Sequence, residues 1–233
     1  MEPNSDVTGR RVWETFMDDA DAYLNFGAGD PVEGWLNFDP SPLFLLPRAV
    51  HRTLSALGSS ARSRRFLDAP YKWGRFARGR RLPFADGSLK AVYCSHVFEH
   101  LPADDIPPLL DEFHRILEPG GVLRVIVPDL MAAAEKALES TTPWVSLDDS
   151  LGTLPAEVTR SRLRAALEGL FGFPSLHKTL VLEHRVAEAV GDMWEVRTGL
   201  GYLESAIDGP RLERVESQDR CNAARVFELT RKP

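Results

Sequence analysis

The sequence predicts an α/β fold in which a mostly parallel sheet is flanked by helices. The strongest indication is a succession of strand, helix and strand. Residues 91–95 and 122–127 have the apolar content of buried strands, and residues 106–117 between them place their apolar side chains on one helix face. Strands joined in this way pair in parallel. A second indication is Tyr23–Phe26, a short apolar stretch that is followed at once by a glycine turn.

The second strand is expected soon after the first. The glycine turn at residues 27–29 leads to an apolar stretch at 35–38, which ends on Asp39. Only nine residues separate the first strand from Leu36. This connection is too short for the helix that usually joins two parallel strands.

The rest of the chain alternates between predicted helices, loops and late strands. Residues 58–65, GSSARSRR, are predicted to be flexible, and residues 139–153 form a Ser/Thr/Asp-rich loop that is long enough to be a mobile cover. Helices are expected at 41–57 with an interruption at Pro47, at 130–138 and at 155–171. Two late strands, at 194–198 and 225–230, would complete one edge of the sheet.

Composition favours one domain with a subsidiary cap. The chain has 233 residues, of which 43% are apolar, and a net charge of −6. It contains neither a run of 18 apolar residues nor an apolar N-terminal h-region, so we expect no membrane span, no signal peptide and a cytoplasmic location. Two cysteines, Cys94 and Cys221, are too few for a disulfide framework or a structural zinc site.

Basic residues are concentrated between Arg48 and Arg81. This segment holds ten Lys and Arg residues against the single acid Asp68, so its net charge is +9 and that of the remainder is −15. One interpretation is a patch for an anionic substrate or an acidic partner. The other is a solvated connection whose arginines pair with the acidic remainder. Nucleic acid is disfavoured because the whole chain is acidic.

The glycine turn and Asp39 together predict a nucleoside-containing cofactor. Glycine after a buried strand lets backbone N–H groups approach a ligand closely, and a carboxylate at the tip of the next strand suits a ribose diol. The sequence GAGDPV does not complete a dinucleotide fingerprint, because Val32 stands where its last glycine belongs. Gly34 and Trp35 also leave no room for a helix that would hold a pyrophosphate.

The string His96-Val97-Phe98-Glu99-His100 matches the H-x-x-E-H pattern of a class of zinc peptidases. That pattern requires a long helix, whereas this string begins at a strand end and Pro102 follows it, so we predict no metal site. Glu99 and His100 are instead expected to cap the next helix or to bind loop backbone. His96 lies at the strand tip, where it is the better functional candidate.

Four stretches resemble, in order, the motifs of class I S-adenosylmethionine-dependent methyltransferases, specifically their compact bacterial, type 11-like branch. They are LNFGAG, GWLNFDP, LPFADGSLKAVYCSHVFEHL and ILEPGGVLRVIVPDL. The resemblance covers residues 23–130 apart from the basic insertion. It implies a Rossmann-like sheet whose last strand is antiparallel. The methyltransferase domain would span 23–233, with a basic insertion at 41–81, a helical cap at about 131–190 and an N-terminal arm or lid at 1–22.

The resemblance also assigns cofactor-binding residues. An acidic residue that often precedes the LPF motif in this family is missing here, so adenine recognition would rest on backbone and packing. The turn would pass under the methionine part of the cofactor, Asp39 would bind the ribose, the LPF motif would lie near adenine, and the strand tip would face the transferring methyl. The residues implied are Asn25, Phe26, Gly27, Ala28, Gly29, Asp39, Leu82, Pro83, Phe84, Ser95 and His96.

The expected reaction is methyl transfer from S-adenosylmethionine, with S-adenosylhomocysteine as product. We expect O-methylation of a hydroxylated small molecule, such as a sugar or natural product, with His96 as the catalytic proton acceptor. The basic segment would suit an anionic acceptor. His177, in the cap region, is a further candidate. The alternative is a non-catalytic cofactor-binding module that uses the basic segment to bind an acidic partner.

Overall fold

The computed structural model describes residues 23–57, 61–139, 179–222 and 224–233. Seven strands form one sheet in the order β3-β2-β1-β4-β5-β7-β6. Every pairing is parallel except those of β7, which runs antiparallel to both of its neighbours. The strands are β1 (Tyr23–Phe26), β2 (Leu36–Asp39), β3 (Tyr71–Trp73), β4 (Leu89–Ser95), β5 (Leu117–Pro128), β6 (Trp194–Arg197) and β7 (Ala224–Arg231). The predicted α/β fold with an antiparallel last strand is therefore confirmed.

Seven α-helices and four short 3₁₀ turns occur in the described ranges. The helices are α1 (Arg48–Ala56), α2 (Ala61–Asp68), α3 (Ile106–Ile116), α4 (Leu130–Leu138), α5 (Glu183–Val190), α6 (Gly209–Val215) and α7 (Gln218–Asn222). The 3₁₀ turns span Pro42–Leu45, Phe98–His100, Ala103–Asp105 and Gly191–Met193. None of the helices described is long and apolar enough to cross a bilayer.

The basic insertion is folded where the sequence predicted flexibility. Residues 61–65 belong to α2, because Phe66 anchors this helix: it is fully buried and its ring stacks on that of His51 at 4.1 Å and meets that of Phe44 edge-on at 5.0 Å. The strand β3, which follows α2, was not predicted. The predicted arm at 1–22, the helix at 155–171, His177 and most of the predicted cap lie outside the described residues.

The sheet has an apolar core on each face. The larger core packs α3 and α5 against the centre of the sheet. The other core surrounds Trp35 and Tyr93 and includes side chains from α6, α7 and the loop before them. The turn between β1 and β2 contains no helix, as predicted, and the segment 199–222 covers this face instead. Trp35 fixes that contact, because its indole N–H donates to the carbonyl of Arg211 at 3.1 Å.

A buried ion network holds the segment 199–222 to the sheet. Three charged side chains are fully buried: those of Arg124 on β5, of Glu228 on β7, and of Glu216, which follows α6. The guanidinium donates to Glu216 at 2.6 and 3.0 Å, to Glu228 at 3.1 Å, and to the carbonyls of Gly201 and Glu204 at 2.9 Å each. Such a group is tolerated in a core only when its donors are paired in this way.

Candidate functional site

A cleft of about 410 Å³ opens at the carboxyl ends of the parallel strands. Ligands of open α/β sheets bind at this edge. Its wall is formed by residues that end or directly follow β1, β2, β3 and β4, so four neighbouring strands contribute to one site. The lining residues are Phe26, Gly27, Gly29, Phe38, Asp39, Pro40, Gly74, Arg75, Phe76, His96, Val97, His100, Leu101, Pro102 and Asp105.

The glycine turn forms the wall beside β1. Gly27 has a φ of +74°, and a Cβ at this position would overlap the Cγ2 atom of Val97. Its N–H donates to the carbonyl of Phe38 at 2.8 Å, and the N–H of Gly29 donates to Oδ2 of Asp39 at 2.8 Å. The turn therefore lines the cleft with backbone, but the N–H groups of Gly27 and Gly29, which were expected to approach a ligand, donate within the chain.

Asp39 is fixed at the tip of β2. The residue is 4% exposed, and its Oδ1 accepts the N–H of Ser41 at 2.7 Å while Oδ2 accepts that of Gly29. A carboxylate accepts hydrogen bonds, which is the chemistry that suits the hydroxyl groups of a ribose diol. The structure thus places this predicted ribose ligand at the cleft with a fixed orientation.

His96 follows β4 in the left-handed region, with a φ of +55°. Its Nδ1 lies 3.0 Å from Oε1 of Glu99, and the two side chains are 37% and 4% exposed. With the Glu99 carboxylate ionised, Nδ1 would be the donor in this pair, and Nε2 of a neutral imidazole would be left as an acceptor. The prediction that Glu99 caps a helix or binds loop backbone is wrong, because its carboxylate holds His96.

The zinc peptidase pattern does not have its required setting. Only Phe98–His100 form a turn of helix, of the 3₁₀ type, and His96 lies before it. Among the residues described, no group of three potential metal ligands is found. His100 lines the same cleft as His96 rather than facing it across a helix turn.

Leu82, Pro83 and Phe84, expected near adenine, do not line the cleft. The segment is pinned to α3: the N–H of Leu82 donates to Glu112 at 2.7 Å, and Arg115 donates to the carbonyls of Leu82 and Phe84. Phe84 supports the cleft indirectly, since its ring meets that of Phe38 edge-on at 5.8 Å. The apolar part of the cleft comes instead from Phe76, Leu101 and Pro102.

Three other predicted residues also lie elsewhere. Asn25 and Ala28 line a second cavity, and the Asn25 amide donates to Asn37 at 3.0 Å. Ser95 lines neither cavity. The reason is the alternation of side chains along a strand: Asn25 and Ser95 point to the face opposite Phe26 and Cys94. The predicted residues that the structure brings together in the cleft are Phe26, Gly27, Gly29, Asp39 and His96.

Several arginines of the basic insertion pair with acids from the rest of the chain. Arg65 contacts Asp30 at 3.0 Å, Arg78 contacts Asp105 at 2.6 Å, and Arg81 lies 3.7 Å from Asp86. Asp105 also lines the cleft, so its pair with Arg78 ties the segment after β3 to the opposite wall. The interpretation of internal pairing therefore accounts for part of the basic charge.

Comparison with known proteins gives one family match. A family model described as a methyltransferase domain matches residues 59–125, the part that contains α2, β3, β4, α3 and most of β5. A domain of this kind implies an S-adenosylmethionine-type cofactor. No curated protein matches this chain.

Solved structures show a likeness at low identity. A candidate methyltransferase in complex with the Haloferax volcanii Trm112 methyltransferase activator is 14% identical, with 95% of this chain and 89% of that chain covered, at a TM-score of 0.45. The YcgJ protein of Bacillus subtilis is 12% identical, with 94% and 97% covered, at 0.42. An S-adenosylmethionine-dependent methyltransferase of Mesorhizobium loti is 18% identical, with 84% and 80% covered, at 0.39. The fold of this chain is assigned from its strand order.

The family match covers the centre of the sheet, and the strand order with its reversed β7 is the arrangement that the sequence motifs implied. The glycine turn and Asp39 meet at the cleft where such a sheet holds its ligand. The match to a methyltransferase domain and the strand order support the resemblance to class I S-adenosylmethionine-dependent methyltransferases that the sequence motifs indicated.

Proposed function

We propose that this protein transfers a methyl group from S-adenosylmethionine to a hydroxyl oxygen of a small molecule, such as a sugar or natural product. The observation that carries the proposal is the pair of His96 and Glu99. His96 lines the cleft, and its Nδ1 is held 3.0 Å from a buried carboxylate. This arrangement directs Nε2 to act as the proton acceptor that a hydroxyl nucleophile needs.

The residues that line the cleft suit each part of the cofactor. The glycine turn lines the cleft, with nothing within 4 Å of a Cβ at Gly29, which leaves room for the methionine part, and the Asp39 carboxylate suits the ribose hydroxyls. Phe76, Leu101 and Pro102 offer an apolar surface for adenine, which agrees with the missing acidic residue before the LPF motif. When bound, S-adenosylmethionine supplies a methyl group that is already electrophilic because it is attached to a sulfonium.

The chain's main contribution is orientation of the acceptor. Holding two reactants in line lowers a barrier by about 7–11 kcal/mol, whereas a general base adds about 10²–10⁴-fold in rate. His96 therefore accelerates a reaction that positioning already permits. An acceptor hydroxyl within hydrogen-bonding distance of Nε2 would lose its proton to His96 as the new C–O bond forms.

The alternative is a non-catalytic module that binds an acidic partner through the basic insertion. Three of its arginines are engaged in ion pairs within the chain. Its two helices also pack around Phe66 as a small core. These features support a structural role for much of the insertion, so we favour the enzyme.

Methyl transfer to a panel of hydroxyl, amine and carboxylate acceptors tests the proposal, together with calorimetric binding of S-adenosylhomocysteine and NAD. The key variant is His96→Asn. Asparagine tolerates the left-handed conformation and keeps a donor for Glu99, but it lacks a basic nitrogen. We expect kcat for a hydroxyl acceptor to fall about 10²–10⁴-fold while the Kd of S-adenosylhomocysteine stays unchanged. His184→Asn, on the exposed face of α5, is the matched control.

Two results would contradict this assignment. Binding of NAD without binding of S-adenosylhomocysteine would show that S-adenosylmethionine is not the cofactor. Full activity of His96→Asn would show that His96 is not the base. Transfer to amines alone would show that the acceptor atom is not a hydroxyl oxygen.

A further inference from the structure

A second cavity, of about 430 Å³, shares the wall formed by Gly29 with the cofactor cleft. Three arginines line it, and they come from separate parts of the chain: Arg65 from α2 in the basic insertion, Arg214 from α6 and Arg220 from α7. We call this space the arginine cavity. The side chain of Arg65 is 57% exposed, and Arg214 and Arg220 are also exposed, so their guanidinium groups are available to a ligand.

The charge of the arginine cavity is not balanced by the acids around it. Arg65 pairs with Asp30 at 3.0 Å. Within the described ranges, Arg214 and Arg220 form no ion pair and no side-chain hydrogen bond. Glu216 also lines the cavity, but its buried carboxylate is engaged by Arg124 and by the N–H of Leu203.

The charged residues of the lining sum to +1, and to about +2 once Glu216 is paired with Arg124, whose other partner Glu228 lies 3.3 Å from Arg197. Glu213 and Asp219 are sequence neighbours of the two arginines, but neither lines this cavity or the cleft. A phosphate monoester carries about −1.5 to −2 at neutral pH, and the planar guanidinium binds phosphate oxygens in pairs. The charge of the cavity matches such a group better than it matches a single carboxylate.

We propose that the arginine cavity binds the phosphate group of a phosphorylated methyl acceptor. The shared wall at Gly29 places a molecule anchored there next to the turn that holds the cofactor. The volume exceeds what one phosphate needs, which leaves room for part of the acceptor's carbon skeleton. This proposal rests on the proposed methyl transfer and specifies its substrate class. It also gives the basic insertion a role at the site through Arg65.

Calorimetric binding of pyrophosphate at low ionic strength, with and without saturating S-adenosylhomocysteine, tests the site. The test variant is the double substitution Arg214→Gln and Arg220→Gln, and the control is Arg80→Gln, an exposed arginine of the basic insertion that lines neither cavity. We expect the double variant to raise the Kd of pyrophosphate at least about tenfold, the change expected from losing one charge-assisted hydrogen bond. The control should bind as the wild type does.

Binding of S-adenosylhomocysteine separates this site from the cofactor cleft. We expect both ligands to bind together and the double variant to keep its affinity for S-adenosylhomocysteine. Competition between the two ligands, or a tenfold loss of S-adenosylhomocysteine affinity in the double variant, would overturn the proposal by placing the anion in the cofactor cleft. Equal weakening by Arg80→Gln, or no pyrophosphate binding to the wild type, would overturn it as well.

Kinetics separate a phosphorylated acceptor from a free anion that acts as an effector. Pyrophosphate should inhibit methyl transfer competitively with the acceptor and not with S-adenosylmethionine. Inhibition that is non-competitive with the acceptor would overturn the assignment. Failure of the wild type to bind S-adenosylhomocysteine would contradict the proposed function instead, and the pyrophosphate result would still report on the arginine cavity.

Discussion

Three residues in the cleft wall, Gly27, Gly29 and His96, adopt backbone conformations that most side chains avoid. Gly27, with its φ of +74°, adopts this conformation at no steric cost because it lacks a Cβ. His96, with its φ of +55°, has a Cβ, and a side chain in this region costs roughly 1–2 kcal/mol. Its N–H bond to the carbonyl of Ile126, at 2.9 Å, and its contact with Glu99 hold it there. Such strain is typical of functional residues.

Gly27→Ala should be more damaging than its conformation alone requires. The new methyl group would overlap Val97, and overpacking of this kind costs typically 1–3 kcal/mol in addition to the backbone term. Gly79→Ala is the matched control, because Gly79 has nearly the same φ, +76°, and nothing within 4 Å of a Cβ. Urea denaturation should show the larger loss in Gly27→Ala, and adding Val97→Ala should recover most of the difference. Equal losses in the two alanine variants would refute the overlap.

Helix α3 organises the segment that precedes β4. Arg115 donates to the carbonyls of Leu82 and Phe84 and contacts Asp86 at 2.6 Å. The Glu112 carboxylate accepts hydrogen bonds from the guanidinium of Arg115 and from the N–H of Leu82. Its hydrogen bond with Arg115, and the bond from Leu82, lower the pKa of the Glu112 carboxyl below its ordinary 4.5. The conformation of the LPF motif is thus fixed by two charged side chains of α3, Glu112 and Arg115.

The lowered pKa of Glu112 gives a testable dependence on pH. A carboxyl whose pKa is lower in the folded state stabilises the fold above its unfolded pKa, and this stabilisation is lost as the pH falls through the folded value. Glu112→Gln should therefore lower the free energy of unfolding by about 1–2 kcal/mol at pH 7. The gap from the wild type should close below the ordinary pKa of 4.5. Denaturant titrations from pH 3 to 7 measure this, with the exposed Asp111→Asn as control. A gap independent of pH would contradict it.

The elements that the sequence predicted are those whose pattern is set locally. Strand β1 and helix α4 have the predicted bounds, because an uninterrupted apolar pattern defines each of them. Helix α2 was missed, since five of its eight residues are polar or charged and its stability depends on Phe66 meeting distant rings. Asp39 and His96 were predicted from their place at strand tips, and both line the cleft. Phe76 could not be found, because β3 before it has only three half-buried residues.

For the molecule as a whole, the short connection between β1 and β2 is balanced by a segment from the other end of the chain. Trp35 is 1% exposed, and its ring meets those of Tyr23 and Tyr93 edge-on at 5.5 and 6.0 Å. The guanidinium of Arg211 lies 4.3 Å from the centre of the Tyr23 ring. The segment 199–222 therefore does the covering that a connecting helix would otherwise do.

Trp35→Ala should loosen this cover selectively. Removing a buried tryptophan side chain costs about 3–5 kcal/mol, and the same variant loses the bond to the carbonyl of Arg211. We expect faster amide hydrogen exchange across residues 200–222. Phe66→Ala, which removes a fully buried ring from the basic insertion, should cost a similar amount without changing exchange in that segment. Unchanged exchange in Trp35→Ala would show that the cover is held by other contacts.

The bond between Trp35 and Arg211 joins residues 176 positions apart. During synthesis, the first two strands leave the ribosome long before the chain that shields them has been made. At about 5–20 residues per second, the face around Trp35 stays open for roughly ten seconds or more. Contacts of such long separation also slow folding. The nascent chain therefore exposes a patch of aromatic side chains during this interval, and chaperones that bind hydrophobic surface would find their target there.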